Sequence, residues 1–116
     1  MKPETNLMDA QEATCVVNSH GRLLSANSRF CRMFGFENDE PEWHYLADLY
    51  RHEEEWNQFR TSTVHPEQER HFLARMRNRK GRSFKCKITR RAEYNPSGDL
   101  VFVNTIAKIV SARDMQ

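Results

Sequence analysis

Three things are scarce in this sequence: cysteine along the whole chain, long apolar runs, and acidic side chains between residues 70 and 91. The three cysteines, Cys15, Cys31 and Cys86, are odd in number, far apart and set in apolar patterns. That argues against a disulfide framework and for buried free thiols in a reducing compartment. No stretch approaches the roughly 18 apolar residues of a membrane span, and the opening MKPETNLMDAQEA lacks the charged-then-apolar pattern of a signal peptide. A cytoplasmic chain without a membrane segment is the expectation. Also missing are a glycine-rich phosphate loop, a nucleophile elbow, a zinc-protease histidine pair and the paired cysteine and histidine spacings of zinc sites. No catalytic set can be assembled from what remains, so no enzyme and no metal site are expected.

What is present suffices for one core and not for two, since 38% of the 116 residues are apolar. The net charge of +2 hides a segregation of sign. Residues 1 to 69 carry 13 acidic and 6 basic side chains, whereas residues 70 to 91 carry 10 basic and no acidic ones. The basic stretch needs its own explanation.

Periodicity divides the chain. Cys15 to Val17 form a short strand, Asn18-Ser19-His20-Gly21 suits a tight turn, and Leu23 to Ala26 return as a second strand. Phe30, Met33 and Phe34 then recur at helical spacing, with Asn27 or Ser28 as the cap and Gly35 as the terminator. Residues 37 to 66 have no two-residue alternation and read as short helices. The clearest runs over Glu53 to Thr63, with Trp56 and Phe59 on one face and Pro66 closing it. Glu53, Glu54 and Glu55 sit in its first turn, where negative charge favours the helix dipole. Cys31 and Arg32 diverge by about 100° on their helix, so Cys31 reads as packed rather than activated.

After His71 the period becomes two. Phe72, Ala74 and Met76 alternate with Leu73, Arg75 and Arg77, and Phe84, Cys86 and Ile88 alternate with Lys85, Lys87 and Thr89. Turns at Asn78 to Arg82 and at Asn95-Pro96-Ser97-Gly98 separate these strands from a last one over Leu100 to Val110. On that strand Val101, Val103, Thr105, Ala107 and Ile109 share one side, taken as inner, and Phe102, Asn104 and Ile106 share the other, taken as outer. Two strands, short helices and three strands make an α+β arrangement with an antiparallel sheet of about five strands and short helices covering one face.

This order, with its punctuating residues, resembles the PAS family of sensory domains. VVNSHGRLLSANSRFCRMFGF, residues 16 to 36, is similar to the family's opening; RNRKGRSF, residues 77 to 84, to the turn between its third and fourth strands; and residues 95 to 111 to its last turn and strand. Asn18 and His20 stand where the family often has aspartate, and Ile109-Val110-Ser111 replaces its closing Asp-Ile-Thr. The resemblance divides the chain into an N-terminal cap or strap over 1–12, a PAS-like sensory domain over 13–111, and a tail or start of a linker over 112–116. It implies a bacterial-type signal-transduction module that binds a small ligand in an internal pocket, dimerises, or does both, and relays to an attached or partner protein.

Pocket candidates on that basis are Phe72, Met76, Cys86, Thr105 and Ala107. None of the five histidines is singled out by spacing; the resemblance implies that His52 and His65, at the two ends of the long helix, are the better candidates for a haem iron. The cofactor stays open: none tightly bound is favoured, with haem or flavin as alternatives. Flavin–cysteinyl photochemistry is disfavoured because Asp48 to His52 holds no cysteine.

Alternation gathers Arg75, Arg77, Lys85 and Lys87 on the outer face, where like charges repel and an anionic neighbour is expected. The acidic N-terminal segment, with Glu4, Asp9 and Glu12, is one such neighbour; an acidic protein or a nucleic acid is another. Phe102 and Ile106 are assigned to the same interface, with the N-terminal segment or a second subunit. Nucleic acid is the disfavoured partner, because the face carries one aromatic residue and no RNA-binding motif.

Overall fold

In a computed structural model, residues 12–37, 40–62 and 68–109 are described. Within them the chain forms strand β1 (Ala13–Val17), β2 (Leu23–Ala26), helix α1 (Ser28–Phe34), two 3-10 turns (Glu40–Trp43 and Leu46–Leu49), helix α2 (Glu53–Ser62), then β3 (Glu69–Arg77), β4 (Ser83–Tyr94) and β5 (Leu100–Lys108). The five strands make one antiparallel sheet in the order β2-β1-β5-β4-β3. Among the described residues no helix is long and apolar enough to cross a membrane.

The three hairpins close on the same five-residue device. Asn18, Asn78 and Asn95 each turn a side-chain oxygen back onto the backbone. Asn18 Oδ1 accepts from the N–H groups of His20 (2.9 Å) and Arg22 (3.0 Å). Asn78 Oδ1 accepts from Lys80 and Arg82 (both 3.0 Å), and Asn95 Oδ1 from Ser97 (3.0 Å) and Asp99 (2.9 Å). Gly21, Gly81 and Gly98 stand at the fourth position with φ of 86°, 89° and 87°, a conformation that costs a residue with a Cβ.

Pairing outward from these turns fixes which side chains share a face. Arg77 pairs with Ser83 and Tyr94 with Leu100, so even-numbered residues of β3, β4 and β5 lie opposite one another. One row across the sheet is Phe72, Ile88, Ile106 and Ala13; the next is Arg90, Asn104 and Cys15. This corrects the expectation for β5. Phe102, Asn104 and Ile106 are buried on the inner face, while Val103, Thr105 and Ala107 are half-buried on the outer one. Both sides of β5 are apolar enough to face a core, so alternation alone could not choose; the β4 register does.

The inner face packs against α1, the 3-10 turns and α2, burying Phe30, Phe34, Leu46, Leu49, Tyr50, Met76, Ile88 and Ile106 in one cluster. α1 begins at Asn27, whose Oδ1 accepts from Phe30 N–H (2.8 Å) and from Thr14 N–H (3.1 Å), while its amide donates to the Glu12 carbonyl (3.2 Å). The segment from 44 to 55 then crosses the sheet and is pinned at both edges. On the β2 side, Leu23 N–H donates to the His44 carbonyl (3.0 Å) and Leu46 N–H to Gly21 (2.9 Å); on the β3 side, Arg51 N–H donates to Arg75 (2.9 Å). Glu55, expected only to favour the helix dipole, also accepts from Arg75 N–H through Oε1 (3.0 Å), occupying an edge group that would otherwise invite another strand.

The observed α2 agrees with the helix expected from Glu53, and half-buried Trp56 faces the core cluster. The Phe59 side chain, Pro66, the strap residues 1–11 and the closing residues Val110 and Ser111 lie outside the described residues. Because Asn27 joins three backbone groups, Asn27→Ala is expected to cost about 2 kcal/mol of unfolding free energy by urea titration, above an ordinary cap loss of about 1 kcal/mol. Asn27→Asp, which keeps the acceptor, should recover at least half.

Candidate functional site

Of the expected pocket residues, the sheet brings Met76 and Cys86 fully inside and Phe72 to half-burial, all on the face that the helices cover. Thr105 and Ala107 are on the opposite face. His52 is exposed at the start of α2, where its carbonyl accepts from Glu55 N–H (3.1 Å); His65 lies outside the described residues. Among the described residues no group of three or more His, Cys, Asp or Glu side chains is placed to hold a metal ion.

The residue that sequence reasoning missed is Arg90. It is only 4% exposed, on the inner face two residues beyond Ile88, because β4 continues to Tyr94 instead of ending near Thr89. Its guanidinium carbon stands 4.3 Å from the centre of the Phe102 ring and 5.8 Å from that of Trp56. Nε and Nη1 are buried and have no hydrogen-bond partner among the described residues. Burial pushes its pKa down, with Tyr50 and Cys15 acting the other way, yet an arginine starts so high that the charge remains. The signal was available: extending the alternation of Phe84, Cys86 and Ile88 by one step lands on Arg90.

Above Arg90 opens a cleft of about 300 Å³, lined by Ser19, His20 and Gly21 of the first turn, Trp56 and Arg60 of α2, and Arg90 itself. The turn and the helix meet closely there. A Cβ on Gly21 would come within 3.0 Å of Trp56 Cζ2. A second cleft of about 300 Å³ lies where Phe36, His44, Asp48 and Leu49 face Arg77, Asn78, Arg79 and Gly81.

Burial favours the neutral form of two of the thiols. Burial raises the Cys15 pKa despite the opposing field of Arg90, and pushes Cys86 up to about 12 against the pull of Lys108. Burial also raises Tyr50 well above the ordinary phenol value, with Arg90 working against it. None of the three cysteines is in a disulfide, and all are buried.

On the outer face Arg75 lies directly opposite Lys85, and Lys87 opposite Leu73, with Arg77 one step along. All four cations are exposed and Leu73 is 61% exposed. The β1 and β5 side of the same face is uncharged, with Val16 opposite Val103 and Thr14 opposite Thr105. Further along, Arg91 is engaged by Glu69 (3.9 Å) and Glu93 (3.4 Å). Among the described residues none of the four cations has an acidic neighbour in salt-bridge contact.

A five-stranded antiparallel sheet in the order 2-1-5-4-3, with short helices over one face and an open cleft between them, defines a small α+β fold. The sequence matches the PAS fold family over residues 4–109, and the chain belongs to that family. No curated protein matches it. Among solved structures, the PAS domain of an HTR-like protein from Haloarcula marismortui is similar at 15% identity and TM-score 0.74, covering 92% of this chain and 93% of that one. A PAS domain from Desulfitobacterium hafniense is similar at 14% identity and TM-score 0.74, covering 90% and 99%. A domain of a sensory box sensor histidine kinase/response regulator from Geobacter sulfurreducens is similar at 14% identity and TM-score 0.66, covering 90% and 93%.

A thiol whose pKa the fold raises stays protonated after its unfolded counterpart has ionised, so the unfolded state binds fewer protons and stability falls as pH rises. The loss starts at about pH 8.5, the unfolded thiol value, and for Cys86 runs to about 12. Urea unfolding between about pH 9.5 and 11 should therefore be shallower in Cys86→Ala than in the wild type by about 1.4 kcal/mol per pH unit. Parallel slopes would contradict the buried-thiol assignment.

Proposed function

We propose that this chain is a signal-sensing module that takes a small molecule in the inner-face cleft over Arg90 and passes the state of that cleft to a second copy or a partner signalling protein through the outer face of its sheet. The observation that carries the reading is the two-sidedness of one sheet. β4 holds Arg90 against the helices on one side, and on the other it presents Lys85 and Lys87 beside Arg75 and Arg77. A change in the cleft alters the packing of Trp56 and Phe102 on Arg90, and the strand that carries Arg90 also carries the outer cations, so one element joins the two surfaces. Similarity to a sensor histidine kinase domain supports a relay role. We read the module itself as non-catalytic and cytoplasmic.

For the outer face an acidic protein element fits better than nucleic acid. Phe102, the one aromatic residue expected among the cations, is on the inner face, so among the described residues the outer face offers bases no Phe, Tyr or Trp ring. The acidic residues of segment 1–12, Glu4, Asp9 and Glu12, supply the complementary charge, from the same chain or a second copy.

Native mass spectrometry of the purified chain tests both halves, since it reports subunit number and any retained molecule together. A dimer is expected, with its dissociation constant raised at least tenfold in the double variant Arg75→Glu, Lys85→Glu and also weakened by added salt. A monomer at all concentrations, in both proteins, would remove self-association from the outer-face role and leave only a partner protein. A salt-dependent complex with single-stranded oligonucleotides would favour the nucleic-acid reading instead.

A further inference from the structure

Buried ions in proteins are normally paired, because removing a charge from water without a counter-ion disfavours the folded state. Arg90 departs from that rule. Its Nε and Nη1 have no partner among the described residues, and what packs on it is aromatic: Phe102 at 4.3 Å and Trp56 at 5.8 Å. A ring face offers a cation partial compensation only.

The surroundings of the cleft are one-sided in charge. Arg60 lines it beside Arg90, and among the described residues no carboxylate lines it. Glu55, one residue before Trp56, has its Oε1 on the Arg75 N–H at 3.0 Å. The remaining lining is the polar turn Ser19-His20-Gly21 and the Trp56 ring. At about 300 Å³ the cleft is at the small end of pockets that take organic ligands. Two guanidinium groups and an indole wall select a molecule with one anionic head and a short, flat apolar body. Arginine recognises carboxylates through paired N–H donors, while the Trp56 ring covers apolar atoms.

We propose that the cleft between the first turn, α2 and β4 binds a small organic anion whose carboxylate pairs with Arg90 and Arg60 and whose apolar body lies against Trp56. This rests on the reading of the chain as a ligand-sensing module and names the class of ligand. The anion replaces ring contact with ion pairing at Arg90, and Trp56 moves with it.

The test uses the full chain with Trp43→Phe, a change at an 81% exposed position that leaves Trp56 as the sole indole. Emission of Trp56 and the unfolding temperature are followed with sodium benzoate, its neutral isostere benzamide, inorganic phosphate, and sodium chloride at matched ionic strength. Benzoate is expected to change the emission saturably and to raise the unfolding temperature, with benzamide at least tenfold weaker. Arg90→Met should weaken benzoate at least tenfold. Arg60→Gln, at an exposed helix position, should weaken it severalfold and keeps the test decisive if Arg90→Met does not fold. Equal binding of benzoate and benzamide would leave ligand sensing in place and overturn the anion assignment. Benzoate binding unchanged in Arg60→Gln and in any folded Arg90 variant would overturn it too, as would phosphate binding tighter than benzoate, which points to free phosphate. No saturable response to benzoate at millimolar concentration would also overturn it; a different molecule retained in native mass spectrometry would then keep the sensing reading alone.

Discussion

The side-chain oxygen of an asparagine, folded back onto two backbone N–H groups, sets the register of each hairpin in this protein. Asn78 and Asn95 do this on either side of β4, holding turns of identical length, so the pairing partners on both flanks keep the same parity. Because side chains alternate every residue along a strand, parity decides which face each occupies. Shifting either turn by one residue would send Arg90 or its neighbours Asn104 and Phe102 to the opposite side of the sheet, and the inner surface would lose its composition.

On the surface so defined, apolar rows flank a polar one. Ile88, Ile106 and Ala13 lie in one row, Ala92, Phe102 and Val17 in another, and Arg90, Asn104 and Cys15 between them. Asn104 is 1% exposed and donates to the Phe102 carbonyl at 3.4 Å, while Arg90 relies on rings. The segment from 44 to 55 covers this surface and is pinned to both edge strands, which shields their unpaired groups and fixes where Tyr50 and Trp56 come down. The cleft remains where that cover meets the first turn, with Gly21 so close to Trp56 that a Cβ there would press on the indole ring. Packing thus leaves a cleft beside the buried guanidinium of Arg90.

The reverse side of the sheet follows from the same constraint. Once even-numbered residues are committed inward, odd-numbered Arg75, Arg77, Lys85 and Lys87 are committed outward, next to an uncharged field from β1 and β5. A surface that is basic in one half and uncharged in the other suits a partner element acidic along one side and apolar along the other. The proposed ligand site and the proposed relay surface are the two faces of one strand, separated by the thickness of a backbone.

Much of the architecture was readable in the residues themselves. The three turns, Leu23 to Ala26 as a strand, the terminator at Gly35 and the start of α2 at Glu53 all rest on local chemistry and stand where the sequence placed them, and of the two caps the sequence offered, Asn27 and Ser28, the structure uses Asn27. The family opening was legible for the same reason. Where both faces of an element were apolar, as on β5, the sequence pattern was symmetric and gave the wrong side; pairing with β4 broke the symmetry. The buried guanidinium needed a longer strand than the apolar run suggested. Local structure was therefore determined by the sequence alone, since caps and turns are satisfied within a few residues. The orientation of β5, the burial of Arg90 and the cleft above it were decided only by the tertiary structure, because each depends on groups brought together from distant parts of the chain.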